Sequence, residues 1–332
     1  MTRVLVLGGT RFLGPPIVRQ LIEAGNDVIV FHRGEREPAG ASGAEHVHGD
    51  FARLPEYVSG LSRRRPEVVL DVVPYIDKGG HGVRHFRGVA DRAVVVTSLD
   101  VYRAFAVAWG SEESQIEPMP LTEDSATRSV PSPDITPDVA FDNLEIEEAL
   151  TDDPALPVTV LRLPMIYGAA DPQRRLARYV RRMNDGRAAI VLDEKIAERR
   201  WSRGYVENVA AAVVRAAVDE RARGRTYNVA EMTAPTEAEW VGLLGEVCGW
   251  SGQVLVVPSE RLPKSMRTPL RAEQDLFVSS TRLREELGYE EPVRLIDGVR
   301  CAIEWERAEE QNEVPPDYTD EDRLLSGLPT DS

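Results

Sequence analysis

Three observations predict a doubly wound parallel α/β sheet carrying a smaller C-terminal lobe. Short β-rich runs with little polar alternation recur through the first half of the chain. A glycine-rich turn joins the first of them to a helix, and helix-period segments dominate the second half. Runs without alternation suit strands covered on both faces, the situation of a parallel sheet between two helical layers.

Taken in order, residues 4–7 form the first run and lead into Gly8-Gly9-Thr10-Arg11-Phe12-Leu13-Gly14. The following segment reads as a helix. Pro15 and Pro16 are tolerated in its first turn, Ile17, Val18, Leu21 and Ile22 make its apolar face, and Gly25 stops it. Residues 28–31 are the second strand, which closes one βαβ unit of about 30 residues. Runs at 68–73, 94–97 and 158–161 repeat the pattern, and 227–229 adds a late strand. Residues 171–200 are arginine-rich and helical in pattern, and 236–249 and 280–288 are two further helices. Inserted around the late strands, these predict a lobe over the C-terminal edge of the sheet. The expected division is 1–165 for the sheet domain, completed by 203–230, with 166–202 and 231–308 forming the lobe. Residues 309–332, acidic and containing Pro315-Pro316, read as a flexible tail.

Composition bounds the function. A chain of 332 residues with 42% hydrophobic and 29% charged residues suits a soluble globular protein. No run approaches the roughly 18 apolar residues of a membrane helix. A start that runs directly into a strand and only two cysteines, Cys248 and Cys301, lead to the expectation of a cytoplasmic protein without a signal peptide. The net charge of −15, with basic residues spread along the chain, disfavours nucleic acid as a partner. A small-molecule substrate is expected, and a homodimer is left open. Lysine occurs only at Lys78, Lys195 and Lys264.

The glycine turn carries the first chemistry. Between a strand and a helix, glycines permit a tight turn and close backbone approach, and the free N–H groups and helix dipole bind a pyrophosphate. The glycines fall at Gly8, Gly9 and Gly14, so the strict G-x-G-x-x-G form is not met. An NAD site commonly places an acidic residue at the end of the second strand. Here the chain reads Phe31-His32-Arg33-Gly34, and Arg33 with Arg11 suits a 2′-phosphate, which favours NADP over NAD. Asp50 suits either an adenine contact or a cap for the next helix.

The chain resembles the extended short-chain dehydrogenase/reductase superfamily, in its NAD(P)-dependent epimerase/dehydratase branch, which has a Rossmann sheet. The resemblance is carried by the glycine turn, Ser98-Leu99-Asp100-Val101-Tyr102, Leu161-Arg162-Leu163-Pro164-Met165-Ile166-Tyr167-Gly168, Gly204-Tyr205-Val206-Glu207-Asn208-Val209-Ala210, Tyr227-Asn228-Val229 and Thr281-Arg282-Leu283-Arg284-Glu285-Glu286-Leu287-Gly288-Tyr289. The form of the glycine turn is similar to that of atypical members, chloroplast stem-loop-binding proteins among them. With this resemblance, cofactor contacts are expected from Gly8, Gly9, Thr10, Arg11, Phe12, Leu13, Gly14, His32, Arg33, Asp50, Phe51, Pro74, Asn143 and Pro164. Tyr167, Arg200 and Trp201 are expected at the substrate.

In that superfamily a serine or threonine and a Tyr-x-x-x-Lys pair transfer the proton, the lysine lowering the tyrosine pKa. Ser98 stands at the serine position. By family spacing the lysine position is Asn143 and the tyrosine position Val139, and Tyr-x-x-x-Lys occurs nowhere in the chain. Three readings follow. Tyr102 substitutes as acid/base; or Ser98, Asp100 and Tyr102 suffice for a non-redox elimination or cyclisation; or catalysis is lost and the fold serves as a cofactor-binding or regulatory module. The expected reading is an NADP-binding enzyme acting on a small polar or sugar-like substrate through Ser98, Asp100 and Tyr102.

Other candidates carry less. Tyr75 and Lys78 have spacing three and read as loop residues. His81 and His85 share a face if helical but lack further ligands, so no metal is expected. In sugar-nucleotide relatives an arginine at the position of Trp201 holds a diphosphate, and the tryptophan here points to an aromatic or apolar contact, with Arg200 beside it. The acidic, proline-rich stretch 106–137 suits a lid or a surface insertion. RNA binding, suggested by the stem-loop-binding relatives, ranks last.

Overall fold

A computed structural model describes residues 1–35, 42–72, 76–77, 80–131, 142–150, 154–271, 273–310 and 316–327. The chain begins β1 (Arg3–Leu7), α1 (Gly14–Glu23), β2 (Asp27–His32), β3 (Glu45–His48), α2 (Leu54–Ser62) and β4 (Val68–Asp71). A small antiparallel pair, β5 (Ile76–Asp77) and β6 (Gly80–His81), precedes β7 (Arg92–Ser98), α3 (Arg103–Trp109), α4 (Asn143–Leu150) and β8 (Val158–Leu163). Next come β9 (Met165–Tyr167), α5 (Ala177–Asn184), β10 (Ala189–Asp193), α6 (Glu194–Ala197), β11 (Arg203–Tyr205), α7 (Val206–Val218) and β12 (Thr226–Asn228). The chain continues through α8 (Glu237–Cys248), β13 (Gln253–Val257), α9 (Thr281–Leu287), α10 (Leu295–Glu310) and α11 (Thr319–Ser326).

The main sheet has seven strands in the order β12-β8-β7-β4-β1-β2-β3, and every pairing in it is parallel. The strand order reverses between β1 and β4, which opens a crevice at their carboxyl ends. Alternation along each strand divides the core. Val4, Val6, Val28, Val30, Val68 and Leu70 pack with Ile17, Val18 and Leu21 of α1 and with α7 on one face. Leu5, Leu7, Ile29, Phe31, Val69 and Val95 pack with Leu54 and Leu61 of α2 and Ile146 and Leu150 of α4 on the other. Both faces are buried, so the strands read as unbroken apolar runs. Each such side chain contributes about 1.5–3 kcal/mol on leaving water.

Two expectations are corrected. Residues 171–200 are not one helical segment. α5 ends at Asn184, Gly186 takes a left-handed φ of 66°, and β10 then pairs in parallel with β13, Ile190 opposite Val254. The partner strand lies some 60 residues downstream in the chain, so local periodicity gave no sign of it. Nor are residues 316–327 a structureless tail. Asp320, Glu321 and Asp322 occupy the first turn of α11, where carboxylates complement the helix dipole. Glu321 is 3% exposed and held by Arg182 and Arg187, from α5 and the turn after it, and Tyr318 donates to Asp185 at 2.7 Å.

Candidate cofactor and substrate sites

The glycine turn bends at Gly8 and Gly9, with φ of 100° and 86°. Gly14 opens α1 so close to the turn that a Cβ there would lie 2.4 Å from the Cα and carbonyl carbon of Gly9. Only glycine allows that approach. The Gly8 N–H is taken by the Phe31 carbonyl and the Gly14 N–H by that of Arg11. The N–H groups between them have no backbone partner among the described residues. With the dipole of α1 behind them they form a cradle for a pyrophosphate, so the residues fit a dinucleotide.

Gly8, Gly9, Thr10, Arg11, Phe12, Leu13, His32, Arg33, Asp50 and Phe51 line one cavity of about 440 Å³ at the carboxyl ends of β1, β2 and β4, with Gly34, Glu35, Ala52 and Val72. Gly14 stands behind this wall. His32 is buried; its Nε2 meets Nδ1 of His46 at 3.0 Å, and its Nδ1 accepts from the Gly34 N–H. Asp50 accepts from the Ala52 N–H at 3.0 Å and thereby caps a short 3₁₀ turn. Phe51 stands edge-on to Phe31 at 5.3 Å. Arg11 and Arg33 converge as the sequence suggests, but on Glu35, whose Oε2 lies 3.2 Å and 3.4 Å from their Nη2 atoms. Glu35 was missed in the sequence because it lies beyond the strand end where the cofactor-selecting acid is normally sought.

Pro74 lies outside the described residues, as do Val139, Tyr75 and Lys78. His81 is the last residue of β6 and His85 belongs to the 3₁₀ turn after it. No group of three or more His, Cys, Asp or Glu side chains able to hold a metal occurs among the described residues.

The parallel sheet brings the end of β7 beside the ends of β4 and β8. Ser98, half-buried there, accepts from the Asp100 N–H at 3.3 Å. Asp100 Oδ1 accepts from Asn143 Nδ2 at 3.1 Å, so Asn143 orients a carboxylate. Pro164 is buried at the link between β8 and β9. Tyr102 departs from expectation. It is 0% exposed, its hydroxyl donates to Asn228 Oδ1 at 2.6 Å, and the Arg162 guanidinium lies 4.7 Å from its ring centre. Burial pushes its pKa up, against the pull of Arg162. A side chain with no free surface and a committed hydroxyl serves packing, which corrects its assignment as acid/base. Beneath it, Glu147 accepts from Thr97 and from Arg162. Burial works against the Arg162 charge, yet Glu147 outweighs it and raises the guanidinium pKa. The sequence showed this arginine within a strand-end motif but not its partner.

A second cavity, of about 490 Å³, is lined by residues of α3, β9, α5, β11 and α8, mostly from the stretch expected to form the lobe. Tyr167 and Trp201 line it, together with Trp109, Met165, Tyr179, Arg203 and Trp240. Tyr167 donates to Glu231 at 2.9 Å, and burial raises the pKa of both. Arg200 is not part of this wall. The run through residue 201 is extended, bridging Thr236 from Arg200 and Leu276 from Trp201, so neighbouring side chains face opposite ways. Arg200 lines a separate surface cleft with Glu231, Met232 and Arg284, and donates to the Ala234 carbonyl. Its expected place beside Trp201 is corrected by that alternation. Arg203 and Glu237, paired and buried in the cavity wall, were not foreseen.

Among the described residues no helix is long and apolar enough to cross a membrane.

Residues 143–230 match the NAD dependent epimerase/dehydratase family. Over the whole length the chain is 25% identical to dTDP-glucose 4,6-dehydratase of Streptomyces griseus, covering 92% of this chain and 94% of that one. It is 27% identical to 2'-dehydrokanamycin reductase of Streptomyces kanamyceticus and to an uncharacterised protein of Sinorhizobium fredii, with 69% and 45% of this chain matched. The matches span 61% and 47% of those two relatives. Among solved structures, UDP-glucose 4-epimerase of Thermotoga maritima with UDP-glucose aligns at a TM-score of 0.66 and 19% identity, over 94% of this chain and all of that one. dTDP-glucose 4,6-dehydratase of Bacillus anthracis in complex with NAD aligns at 0.66 and 15%, over 94% and 98%. The match over residues 143–230, with a seven-stranded parallel sheet and a glycine-turn cavity at its switch point, makes the chain similar to the NAD dependent epimerase/dehydratase family.

Proposed function

We propose that the protein is an NADP-binding enzyme of this family, acting on a small polar or sugar-like substrate through an active site that does not use Tyr-x-x-x-Lys. The observation that carries the reading is the cavity at the glycine turn, where Arg11 and Arg33 converge on one point. Gly8 to Gly14 hold the pyrophosphate. Arg11 and Arg33 take a 2′-phosphate in place of Glu35. Bound there, a nicotinamide cofactor supplies the capacity to accept or donate a hydride.

Proton handling falls to the polar group at the end of β7. Ser98 presents a hydroxyl to the substrate oxygen, Asp100, whose backbone N–H donates to that hydroxyl, supplies a carboxylate, and Asn143 fixes its direction. The relatives that reduce or dehydrate sugar-derived substrates support the substrate class. A second reading, a cofactor-binding protein without turnover or a non-redox lyase or cyclase, is favoured by the missing Tyr-x-x-x-Lys and the buried Tyr102.

Mass spectrometry of the nucleotide released when the purified protein is denatured, with titration of NADPH and NADH, tests the cofactor. NADP(H) released or bound more tightly than NAD(H) is expected; binding of neither overturns the proposal. Turnover is then followed by NADPH absorbance over a panel of keto and hydroxy sugars. Ser98→Ala and Asp100→Asn are each expected to lower it by about 10²-fold, the lower range for a general acid/base group. Undiminished turnover in both variants moves the chemistry elsewhere, and cofactor binding with no turnover in any protein favours the second reading.

A further inference from the structure

Arg199, Trp201 and Arg203 lie on alternate positions of one run and are 2%, 9% and 5% exposed. Each has buried nitrogens with no hydrogen-bond partner: Nε, Nη1 and Nη2 of Arg199, Nε1 of Trp201, and Nη1 of Arg203. Buried donors are nearly always satisfied, and a buried guanidinium with no acceptor at all is costly. Three such residues at alternate positions form one unfilled polar patch. Trp201 and Arg203 line the lobe cavity, and the Arg199 guanidinium lies 5.7 Å from the Trp201 ring centre.

Charge bookkeeping around the cavity points the same way in a chain whose net charge is −15. Arg174 is held by Glu306 and Arg175 by Asp171. Arg178 and Arg203 share the single carboxylate of Glu237. Arg199 has only the longer-range pull of Asp275 and Glu273, which does not offset its burial. Arg199 is therefore left without a contact partner, and two guanidinium groups share one carboxylate. The rest of the wall is aromatic, with Trp109, Tyr167 and Trp240 prominent.

We infer that the lobe cavity binds a substrate carrying a terminal oxyanion, a carboxylate or a phosphate monoester, which accepts hydrogen bonds from Trp201 and Arg203 and is balanced by the charge of Arg199. This rests on reading the lobe cavity as the substrate site. The flat aromatic walls take the body of the substrate, and the oxyanion supplies the acceptors that the patch lacks. A neutral sugar offers hydroxyl acceptors but no countercharge, and so leaves the guanidinium of Arg199 uncompensated.

The test is thermal unfolding in an Arg11→Ala/Arg33→Ala background, which removes the arginine pair of the cofactor cavity; any shift that arises at the glycine turn is insensitive to the lobe-cavity variants below. Inorganic phosphate and benzoate are compared with chloride at equal ionic strength. At ten times Kd, the preferred anion is expected to raise Tm by about 2 °C beyond chloride; phosphate alone identifies a phosphate monoester, and benzoate alone a carboxylate. Adding Trp201→Phe, which keeps the ring and removes the donor, is expected to reduce that shift by at least half. Arg199→Met is expected to raise the anion-free Tm by ~1–3 °C, since it deletes an uncompensated buried charge, and to reduce the shift. No anion-specific shift, or a full shift retained in both variants, overturns the inference. The NADPH titration of the unaltered protein is independent, so loss of the oxyanion site and loss of the cofactor reading are told apart.

Discussion

Glu35→Gln is the sharpest probe of cofactor choice, because it needs no knowledge of the substrate. The Glu35 carboxylate lies 3.2 Å and 3.4 Å from the Nη2 atoms of Arg11 and Arg33. An oxyanion accepting from both nitrogens therefore sits within about 5 Å of it. All three side chains are more than half exposed, so a water-like dielectric applies. At ε of about 80, a unit charge about 5 Å from a dianionic phosphate costs roughly 1.7 kcal/mol, and a Debye length of about 8 Å reduces this to about 0.9 kcal/mol. Removing the charge is thus expected to tighten NADP⁺ binding about fivefold. NAD⁺, which has no 2′-phosphate, is expected to bind unchanged. Calorimetric titration of both nucleotides at low and high salt measures the ratio, and the gain should shrink as salt rises. An equal gain for both nucleotides, or none for NADP⁺, would refute the assignment of Arg11 and Arg33 to the 2′-phosphate.

Tyr102→Phe leaves Asn228 Oδ1 without its 2.6 Å donor in a fully buried site, a loss of about 1–3 kcal/mol. With ~2.1 cal/mol/K per residue over 332 residues, Tm is expected to fall by ~1.5–4 °C while turnover is retained; a variant of unchanged Tm and abolished turnover would return Tyr102 to the chemistry. Gly14→Ala sets a methyl 2.4 Å from the Gly9 backbone, so nucleotide affinity measured by fluorescence titration is expected to fall more than tenfold; wild-type affinity would show that the turn can part from α1 at no cost. Burial pushes the Asp193 carboxyl up, but the Ser259 hydroxyl and the Thr268 and Lys195 N–H groups outweigh it and hold its pKa below the usual range. Its folded pKa is depressed, so its stabilising effect is present above the unfolded value of about 3.9 and is lost as pH falls through the folded value. Urea denaturation of Asp193→Asn should accordingly show a deficit at pH 7 that closes towards pH 3; a deficit independent of pH would assign the effect to shape instead.

Much of the fold was legible because its signals are local. Unbroken apolar runs, a glycine turn and Pro15-Pro16 at a helix start act over a few residues, and each kept its meaning in the structure. The cofactor cavity was legible for the same reason: ten of its lining residues come from three short segments, each at or just beyond the end of a strand. What sequence alone could not decide is which side chains meet. Tyr102 carries a family motif, yet Asn228 and Arg162, which bury and occupy it, come from β12 and β8. Arg200 and Trp201 are adjacent in the chain but separated by the extended backbone, and the pairing of β10 with β13 that helps shape the lobe joins residues 189–193 to 253–257. Glu35 acquires its meaning only where Arg11 and Arg33 converge on it. Backbone conformation follows short-range sterics and hydrogen bonding, which the order of residues encodes directly. Burial, ion pairing and proton affinity depend on neighbours distant in the chain, and the packed structure alone sets those.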